Sequence, residues 1–351
     1  MFSTLDTPSV LIDLDVAEAN IHKYQAYCDT HGLKLRPHVK THKLPALAKY
    51  QIAQGAVGIT CQKISEAEAM IAEGGIDDVL ITYNILGDAK TARLRALSEK
   101  VRLSVVADSS FVAEGLSKAF MGASEPLEVL VECNTGADRC GVAAPADAAD
   151  LAKRISDLPG LNFAGLMTFP AFGGFAEAAD WLAEAKEMIE AEGLEVRKVS
   201  SGGSQDMWQA HLAKPVTEHR IGTYVYNDRS LVSRGNCTWQ ECALTVLATV
   251  VSVPSATHAI IDAGSKVLTS DLFGLHGHGH VLGRNDLSID QLSEEHGRLV
   301  SDGPISLAVG DRLRIVPNHA CVVANMLDQV ECVRGNEIIG PVPVAARGQV
   351  W

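Results

Sequence analysis

Short apolar runs alternate with segments of helical period between about residues 33 and 226. Eight of these runs have the length and the Val, Leu and Ile content of strands, and they cover residues 33–40, 57–63, 78–84, 102–108, 127–134, 161–169, 195–201 and 219–227. Between them lie segments such as ISEAEAMIAEGG, in which apolar residues recur every three to four positions and glycine closes the end. The pattern predicts a strand followed by a helix, eight times.

Strands separated by helices run parallel, and eight such units close most naturally into a barrel of the TIM type. An open doubly wound sheet is the alternative, but it usually has a GxGxxG turn after its first strand, and this sequence has none there. From Cys237 onward, β-rich segments follow one another without long helical patterns. We therefore predict an α/β fold, with a (β/α)8 barrel over residues 15–235 and a mainly-β domain over residues 236–351 that residues 1–14 join.

Composition and charge exclude several classes of protein. The net charge is −13 and no run rich in Lys or Arg interrupts it, which argues against a nucleic-acid partner. No stretch approaches the roughly 20 apolar residues that a membrane span requires. The first ten residues lack the features of a secretory signal, and eight scattered cysteines are typical of reduced thiols. We expect a cytoplasmic protein with neither a nucleic-acid nor a membrane partner.

Candidate chemistry is strongest at the end of the first predicted strand, LRPHVKTHK. Function in a barrel gathers at the C-terminal ends of the strands, where the loops converge. A desolvated lysine beside other cations loses its proton readily, and the neutral amine attacks an aldehyde carbon. Lys40 has this setting, with Arg36, His38 and Lys43 nearby. A solvated basic loop is the alternative that this motif leaves open.

Two glycine turns follow the seventh and eighth predicted strands, in SSGGSQD and RIGTYVYND. Backbone N–H groups in such turns bind phosphate, and barrels commonly place a phosphate site there. Because the sequence has no P-loop, the phosphate of a bound cofactor is favoured over ATP. Glycines that serve only the turns are the alternative.

A third motif, PNHAC, places His319 and Cys321 two residues apart on a predicted strand. Residues i and i+2 of a strand face the same side, so an imidazole and a thiolate here can share one metal ion. An ordinary half-buried histidine and cysteine are the alternative. The HGHGH patch at residues 276–280 is a competing metal site, but its glycines predict a flexible loop.

Together, LRPHVKTHK, NTGADRCGV, SSGGSQD, RIGTYVYND, EEHG and PNHAC resemble one family, in order over nearly the whole chain. It is the D-threonine aldolase and D-serine dehydratase group of the alanine-racemase-like, fold-type III pyridoxal-phosphate (PLP) enzymes. The resemblance implies a barrel followed by a β domain, in a homodimer that acts on a small D-amino acid.

The resemblance also implies a role for individual residues. Lys40 is implied as the Schiff-base lysine, with Arg139 near the phenolate oxygen of the cofactor. A divalent metal (Zn, Mn or Mg) is implied on His319 and Cys321, and His296 is a candidate base at the substrate's β-hydroxyl. The other implied cofactor contacts are His38, Gly203, Ser204, Gly222, Thr223 and Tyr224.

Two reactions follow from this assignment. Retro-aldol cleavage of a D-3-hydroxy-α-amino acid gives glycine and an aldehyde, whereas loss of the β-hydroxyl gives a 2-oxo acid and ammonia. By resemblance, the H-x-C pair is that of the dehydratase members and favours dehydration of D-serine or D-3-hydroxyaspartate, while the compact length is that of the aldolase members. A thiolate ligand also suits zinc. We expect the aldolase first, with D-threonine-like substrates. A racemase leaves the metal pair without a task, and a non-catalytic PLP carrier lacks a β domain, so both are remote alternatives.

Overall fold

The computed structural model describes residues 2–351. The chain divides into two compact units. The barrel unit comprises Tyr24–Lys40, Pro45–Gly222 and Gln349–Trp351, and the β unit comprises residues 2–23, Thr41–Leu44 and Thr223–Gly348. Within residues 2–351, no helix combines the length and the apolar character that crossing a bilayer requires.

The elements follow one another along the chain as strands, α-helices and short 3-10 helices. The strands are β1 (Ser9–Asp13), β2 (Lys34–Leu35), β3 (Ile59–Cys61), β4 (Asp78–Ile81), β5 (Arg102–Ala107), β6 (Leu127–Cys133), β7 (Leu161–Thr168), β8 (Lys198–Gly202), β9 (Glu218–Arg220), β10 (Leu244–Ser255), β11 (His258–Ile261), β12 (His280–Val281), β13 (Ser288–Leu292), β14 (Gly297–Val300), β15 (Arg312–Val316), β16 (Gln329–Arg334) and β17 (Glu337–Pro343). The α-helices are α1 (Leu14–Thr30), α2 (Pro45–Ala53), α3 (Ile64–Ile71), α4 (Asp88–Ser98), α5 (Ser110–Phe120), α6 (Pro145–Asp157), α7 (Phe175–Ala191), α8 (Arg229–Ser233), α9 (Ser265–Leu268) and α10 (Ala320–Ala324). The 3-10 helices are Val39–Thr41, Met207–Leu212, Thr223–Val225 and Trp239–Glu241.

Strands β2 to β9 form one parallel sheet in the order β2-β9-β8-β7-β6-β5-β4-β3. Its two ends meet, because His38 and Thr60 form a parallel bridge and the Thr60 N–H donates to the Pro37 carbonyl at 2.7 Å. The sheet is therefore a closed eight-stranded barrel followed by a mainly-β region, and the predicted fold class is confirmed.

The barrel forms because its strands are apolar on both faces. Strands β5 and β6 read RLSVVA and LEVLVEC, and nearly all of their residues are buried. Burial on both faces is typical of parallel strands covered by helices. A layer of the core consists of residues at most 2% exposed, contributed by four neighbouring strands: Leu80, Val106, Leu130, Ala164 and Met167.

Two strands are shorter at the C-terminal end than their apolar runs predict. The first ends at Leu35, and Lys40 lies in the 3-10 turn Val39–Thr41. The eighth ends at Arg220, before the 3-10 turn Thr223–Val225. Pro37 has no N–H to donate to a ladder, which explains the first interruption. Lys40, Thr223 and Tyr224 therefore lie in turns beyond the barrel strands, whereas His38 lies in the bridge that closes the barrel.

The β unit contains the second sheet, in the order β13-β14-β11-β10-β1-β16-β17, with β15 paired to β10 and β12. Strand β1 is antiparallel to β10 and parallel to β16. Leu11 packs there with Phe2, Leu247 and Val333 in one apolar cluster. The first strand of the chain is thus built into the sheet formed by the last third of the sequence.

Candidate active site

Lys40 is half-buried in the turn that follows the first barrel strand. The backbone N–H of Lys40 donates to Nδ1 of His38 at 3.5 Å, so Nδ1 is an acceptor and the ring proton lies on Nε2. His38 Nε2 then donates to the side-chain oxygen of Gln62 at 3.1 Å. The Gln62 amide is fixed in turn by its bond to the Thr82 carbonyl at 2.9 Å. This chain of bonds defines both the histidine tautomer and the orientation of the Lys40 turn.

Other predicted cofactor residues of the barrel unit lie at the same end of its strands. The Arg139 guanidinium lies 4.7 Å from the centre of the Phe169 ring, which restrains its plane. Gly203 has φ of +144°, a conformation that side chains rarely adopt, and its N–H donates to the Arg220 carbonyl at 3.0 Å. Ser204 follows directly, and Gly222 closes the unit two residues beyond β9. Amine, guanidinium and glycine turns thus share one end of the barrel.

Sequence reasoning missed a group of acidic residues at this end. One ligand atom each of Asp108, Glu132 and Cys140 lies within 4.8 Å of the others. Burial, with a contribution from Asp108, raises the pKa of Glu132 to about 7, although Arg139 and Arg220 oppose the shift. Partial protonation of Glu132 reduces the negative charge of the group. The proximity of Asp108 and Glu132 could have been predicted from the sequence, because Asp108 follows β5 and Glu132 lies near the end of the adjacent strand β6.

Arg220 is a second residue that sequence reasoning missed. It is 5% exposed inside the barrel and donates to Ser200 Oγ and to the Thr168 carbonyl, both at 2.7 Å. Burial lowers the pKa of Arg220 to about 10, while Glu218 and Glu132 act in the opposite direction. The group stays cationic at neutral pH. It adds a buried positive charge at the end of the barrel where exposed Arg139 also lies.

A cavity of about 1080 Å³ lies at the opposite, N-terminal end of the barrel strands. Its wall alternates cations and carboxylates that pair with one another, such as Arg36 and Arg102 with Asp78. These pairs leave no surface of a single charge for a ligand. The N-terminal end of a barrel commonly contributes to stability, whereas chemistry takes place at the other end.

The predicted metal pair lies in the β unit, but not on a strand. Strand β15 ends at Val316, and Pro317 follows it. His319 is extended and precedes α10, whose second residue is Cys321. The prediction that both residues lie on one strand is therefore wrong, because the proline interrupts the ladder. The helical turn nevertheless brings the two together, and the Cys321 sulfur is a hydrogen-bond partner of the His319 imidazole.

Asp228 anchors this pair and was absent from the predicted residues. It is fully buried, and its Oδ2 atom lies 2.9 Å from His319 Nδ1 and accepts from the Ala320 N–H at 3.0 Å. Its Oδ1 atom accepts from the Leu231 N–H at 3.1 Å and from the Ser230 hydroxyl at 2.6 Å. One carboxylate thus caps the start of both α8 and α10. Because Asp228 bonds to Nδ1, a metal ion would bind His319 through the other ring nitrogen.

The electrostatic environment of His319 is negative, because the Cys321 sulfur and the Asp228 carboxylate lie beside it. Burial alone lowers its pKa, but the Cys321 sulfur and Asp228 outweigh burial and raise the pKa to about 11. Such a site attracts a cation, either a proton or a metal ion that displaces it. The Phe273 ring stacks on the imidazole with centroids 4.5 Å apart and planes 19° apart. The ring is thus fixed at its edge by Asp228 and on one face by Phe273.

The remaining predicted residues of the β unit have different environments. Thr223 Oγ1 lies 3.7 Å from Cys321 Sγ, and Tyr224 is 1% exposed. His296 lies in the turn between β13 and β14, and its side chain is exposed. Among residues 2–351, no ring contact or salt bridge joins the His296 side chain to His319. The structure therefore does not bring His296 together with the metal pair.

The HGHGH patch is held in place rather than free. The Asn318 amide donates to the Gly277 carbonyl at 2.8 Å, and Arg229 donates to the His276 carbonyl at 2.8 Å. His280 stacks on Trp239 with centroids 3.8 Å apart. Because Asn318 precedes His319, the backbone of the patch supports the segment that carries the metal pair.

We expect Asp228→Asn to lower the affinity for a divalent metal by about 10- to 100-fold, the usual effect of removing the carboxylate behind a metal histidine. Both carboxylate oxygens accept, Oδ2 from the Ala320 N–H beside His319 Nδ1 and Oδ1 from the Leu231 N–H, so the NH2 group of an amide faces an N–H donor in either orientation. Competition with a chromogenic chelator measures the affinity. Asp286→Asn is the matched control, since Asp286 pairs with Arg284 on the exposed surface of the same unit. Equal affinities in the two folded variants would show that Asp228 does not support a metal ligand.

Comparison with known proteins agrees with this arrangement. Residues 12–230 match the model of the alanine racemase N-terminal domain, and residues 243–333 match that of a putative serine dehydratase domain. A D-threonine aldolase of an Arthrobacter species is 34% identical over 98% of this chain and 93% of its own length. A 3-hydroxy-D-aspartate aldolase of Paracoccus denitrificans is 33% identical over 99% and 93%.

Solved structures give the same result. The D-threonine aldolase of Filomicrobium marinum superimposes with a TM-score of 0.92 at 32% identity, covering 100% of this chain and 98% of that one. A metal-free cysteine-to-alanine variant of a D-threo-3-hydroxyaspartate dehydratase superimposes with a TM-score of 0.86 at 28% identity, covering 97% and 98%. The family inferred from the motifs, and with it the prediction of an enzyme, is confirmed. The chain belongs to the D-threonine aldolase and D-serine dehydratase group of the alanine-racemase-like family.

Proposed function

We propose that this chain is a PLP- and divalent-metal-dependent lyase of D-3-hydroxy-α-amino acids that cleaves D-threonine-like substrates to glycine and an aldehyde. One contact carries the proposal. Lys40 and Thr41 are successive residues of one turn, and the Thr41 hydroxyl lies 3.1 Å from Cys321 Sγ. The expected cofactor lysine and the expected metal pair are therefore linked through a single residue. Relatives named D-threonine aldolase and 3-hydroxy-D-aspartate aldolase, each matched over 93% of its length, support the same reaction.

The residues at the end of the barrel fit PLP. Lys40 supplies an amine for the aldehyde, and Arg139 supplies a cation for the phenolate oxygen. The turns at Gly203–Ser204 and Gly222–Thr223 supply backbone N–H groups and hydroxyls for a phosphate. The positive φ of Gly203 supports this fit, since the absence of a side chain allows an anion to approach the backbone closely.

The donors in the β unit fit a divalent ion with an affinity for sulfur. An imidazole and a thiol, beside a buried carboxylate that orients the imidazole, form the donor set of zinc sites. A thiolate ligand favours zinc over manganese or magnesium. The metal-free cysteine variant of the related dehydratase supports a cysteine ligand in that protein.

Each residue then has a defined task. When bound, PLP supplies an electron sink for a bond broken at Cα, and the metal supplies Lewis acidity at the β-hydroxyl. Lys40 would hold the cofactor and release it when the substrate amine takes the place of the lysine amine. His319 and Cys321, oriented by Asp228 and Thr41, define where the β-hydroxyl binds. Buried Arg220 and exposed Arg139 keep positive charge at the end of the barrel.

Dehydration is the second candidate, and the H-x-C pair favours it. In that reaction Lys40 would take the α-proton of the substrate and the Cβ–O bond would break, with a metal on His319 and Cys321 supplying Lewis acidity to the departing hydroxyl. Glu132 does not distinguish the two reactions, because a carboxyl with a pKa of about 7 can hold a proton in either. Analysis of the reaction products is therefore needed to distinguish retro-aldol cleavage from dehydration.

Product analysis with D-threonine tests the proposal. We expect glycine and acetaldehyde in equal amounts from the holoenzyme with Zn²⁺ or Mn²⁺, and no product from L-threonine. Chromatography of the amino acid and derivatisation of the aldehyde measure them. 2-Oxobutanoate and ammonia as the sole products would replace the aldolase by the dehydratase. Absence of both product pairs with either ion would refute the lyase assignment.

A further inference from the structure

The sulfur of Cys321 has two threonine hydroxyls beside it. Thr41 Oγ1 lies at 3.1 Å and Thr223 Oγ1 at 3.7 Å. Thr41 is fully buried and Thr223 is 7% exposed. Water therefore has little access to the Thr41 hydroxyl, and the sulfur is its partner across 280 residues of sequence.

The position of Thr41 in the chain gives this contact its significance. Thr41 ends the 3-10 turn Val39–Thr41, and the residue before it is Lys40. The compact units also divide at this peptide, since Lys40 belongs to the barrel unit and Thr41 to the β unit. A side-chain bond at Thr41 thus restrains the backbone on which Lys40 is carried.

A metal ion would change the character of this bond. A cysteine ligand is a thiolate, which only accepts hydrogen bonds, so the Thr41 hydroxyl must donate to it. Hydrogen bonds to a charged acceptor are roughly twice as strong as those between neutral groups. Threonine is also stiff about χ1, because its Cβ is branched. Metal binding would therefore hold Thr41, and the turn it closes, more firmly in one conformation.

We infer that Thr41 is a positioning residue that couples the metal site to the cofactor lysine. The inference rests on the proposed function, since it requires both PLP on Lys40 and a metal on Cys321. A turn fixed in advance binds its ligand with a smaller loss of conformational entropy. Metal therefore tightens PLP binding, and by thermodynamic reciprocity PLP tightens metal binding by the same factor. Coupling between two sites is typically about 5- to 150-fold, and a net contribution of about 1 kcal/mol from one hydrogen bond places this coupling at the lower end, about 5- to 10-fold.

The test measures binding rather than turnover. The dissociation constant of PLP is determined from the visible absorption of its Schiff base, on apoprotein with Zn²⁺ and without it. We expect Zn²⁺ to tighten PLP binding about 5- to 10-fold in the wild type and in Thr41→Ser, which keeps the hydroxyl. In Thr41→Val, which keeps the shape and loses the hydroxyl, Zn²⁺ should leave the constant unchanged.

Thr91→Val is the matched control. Thr91 is equally a buried threonine of 6% exposure, and its hydroxyl bonds to the Gly87 and Asp88 carbonyls at the start of α4. It should show the wild-type coupling. Thr41→Ala replaces Thr41→Val if the latter does not fold, with the same expected loss of coupling.

The outcomes separate this inference from the proposed function. Equal coupling in the wild type and Thr41→Val, or no effect of Zn²⁺ on a wild type that binds both ligands, overturns the role of Thr41 and leaves the lyase proposal standing. A wild type that forms no Schiff base overturns both. Loss of coupling in Thr41→Val with retention in Thr41→Ser supports the inference.

Discussion

Replacing Lys40 by alanine should remove the covalent attachment of PLP and lower kcat by at least about 10²-fold, the lower end of what a positioned acid or base contributes. The loss follows from the residue's two tasks, since its amine both holds the cofactor and can move a proton. Borohydride reduction measures the first task directly, because it fixes the cofactor on its lysine. Mass analysis should find the added cofactor on the peptide that contains Lys40 in the wild type, and none there in the variant.

Lys49→Ala is the control for a general loss of positive charge. Lys49 lies on α2 of the same unit, with its amine 3.6 Å from Glu73 on the surface. It should retain both the reduced cofactor on Lys40 and the wild-type activity. Cofactor mass on a different lysine of the wild type, with excess PLP present, would move the assignment away from Lys40.

The barrel could be predicted because its evidence is local. Period-2 and period-3.6 patterns, each a few residues long, define every strand and helix, and the parallel arrangement then follows from the helices between the strands. Lys40 could be predicted for the same reason, because one motif places it beyond a buried strand. The strand ends were less predictable, since apolar residues such as Ile221 and Val225 continue past β9 into a turn.

The support of the metal pair could not be read from spacing. PNHAC contains the proposed ligands, but Pro317 converts the expected strand into an extended residue and a short helix. Asp228 lies 91 positions from His319, and Thr41 lies 280 positions from Cys321. Contacts of this length depend on how the chain folds back, which periodicity does not encode.

The group of Asp108, Glu132 and Cys140 at the barrel end could be predicted only in part. Asp108 and Glu132 belong to strands that are consecutive in sequence and adjacent in the sheet, so their proximity was deducible from the predicted topology. What the sequence does not contain is the burial that raises the pKa of Glu132. A carboxyl that holds its proton near neutral pH is therefore visible only once the barrel is closed around it.

Metal removal should abolish the lyase reaction while leaving PLP on Lys40. A chelator should lower the rate with D-threonine by about 10²- to 10³-fold, since Lewis-acid stabilisation of a developing oxygen charge is worth several kcal/mol. Zn²⁺ or Mn²⁺ added in excess should restore the rate. The Schiff-base absorption should survive chelation, because Lys40 rather than the metal holds the cofactor.

Serine variants of two candidate cysteine ligands, Cys321 and Cys140, show where that metal binds. Cys321→Ser should lose the metal, because a neutral hydroxyl replaces a thiolate ligand beside His319. Cys140→Ser should keep it, although Cys140 lies with Asp108 and Glu132 in a group that geometry alone allows as a site. Metal content measured by atomic emission distinguishes the two variants. The reverse result is metal bound to Cys321→Ser and no metal bound to Cys140→Ser. It would place the metal site at the barrel end, and Asp228 would then orient no metal ligand.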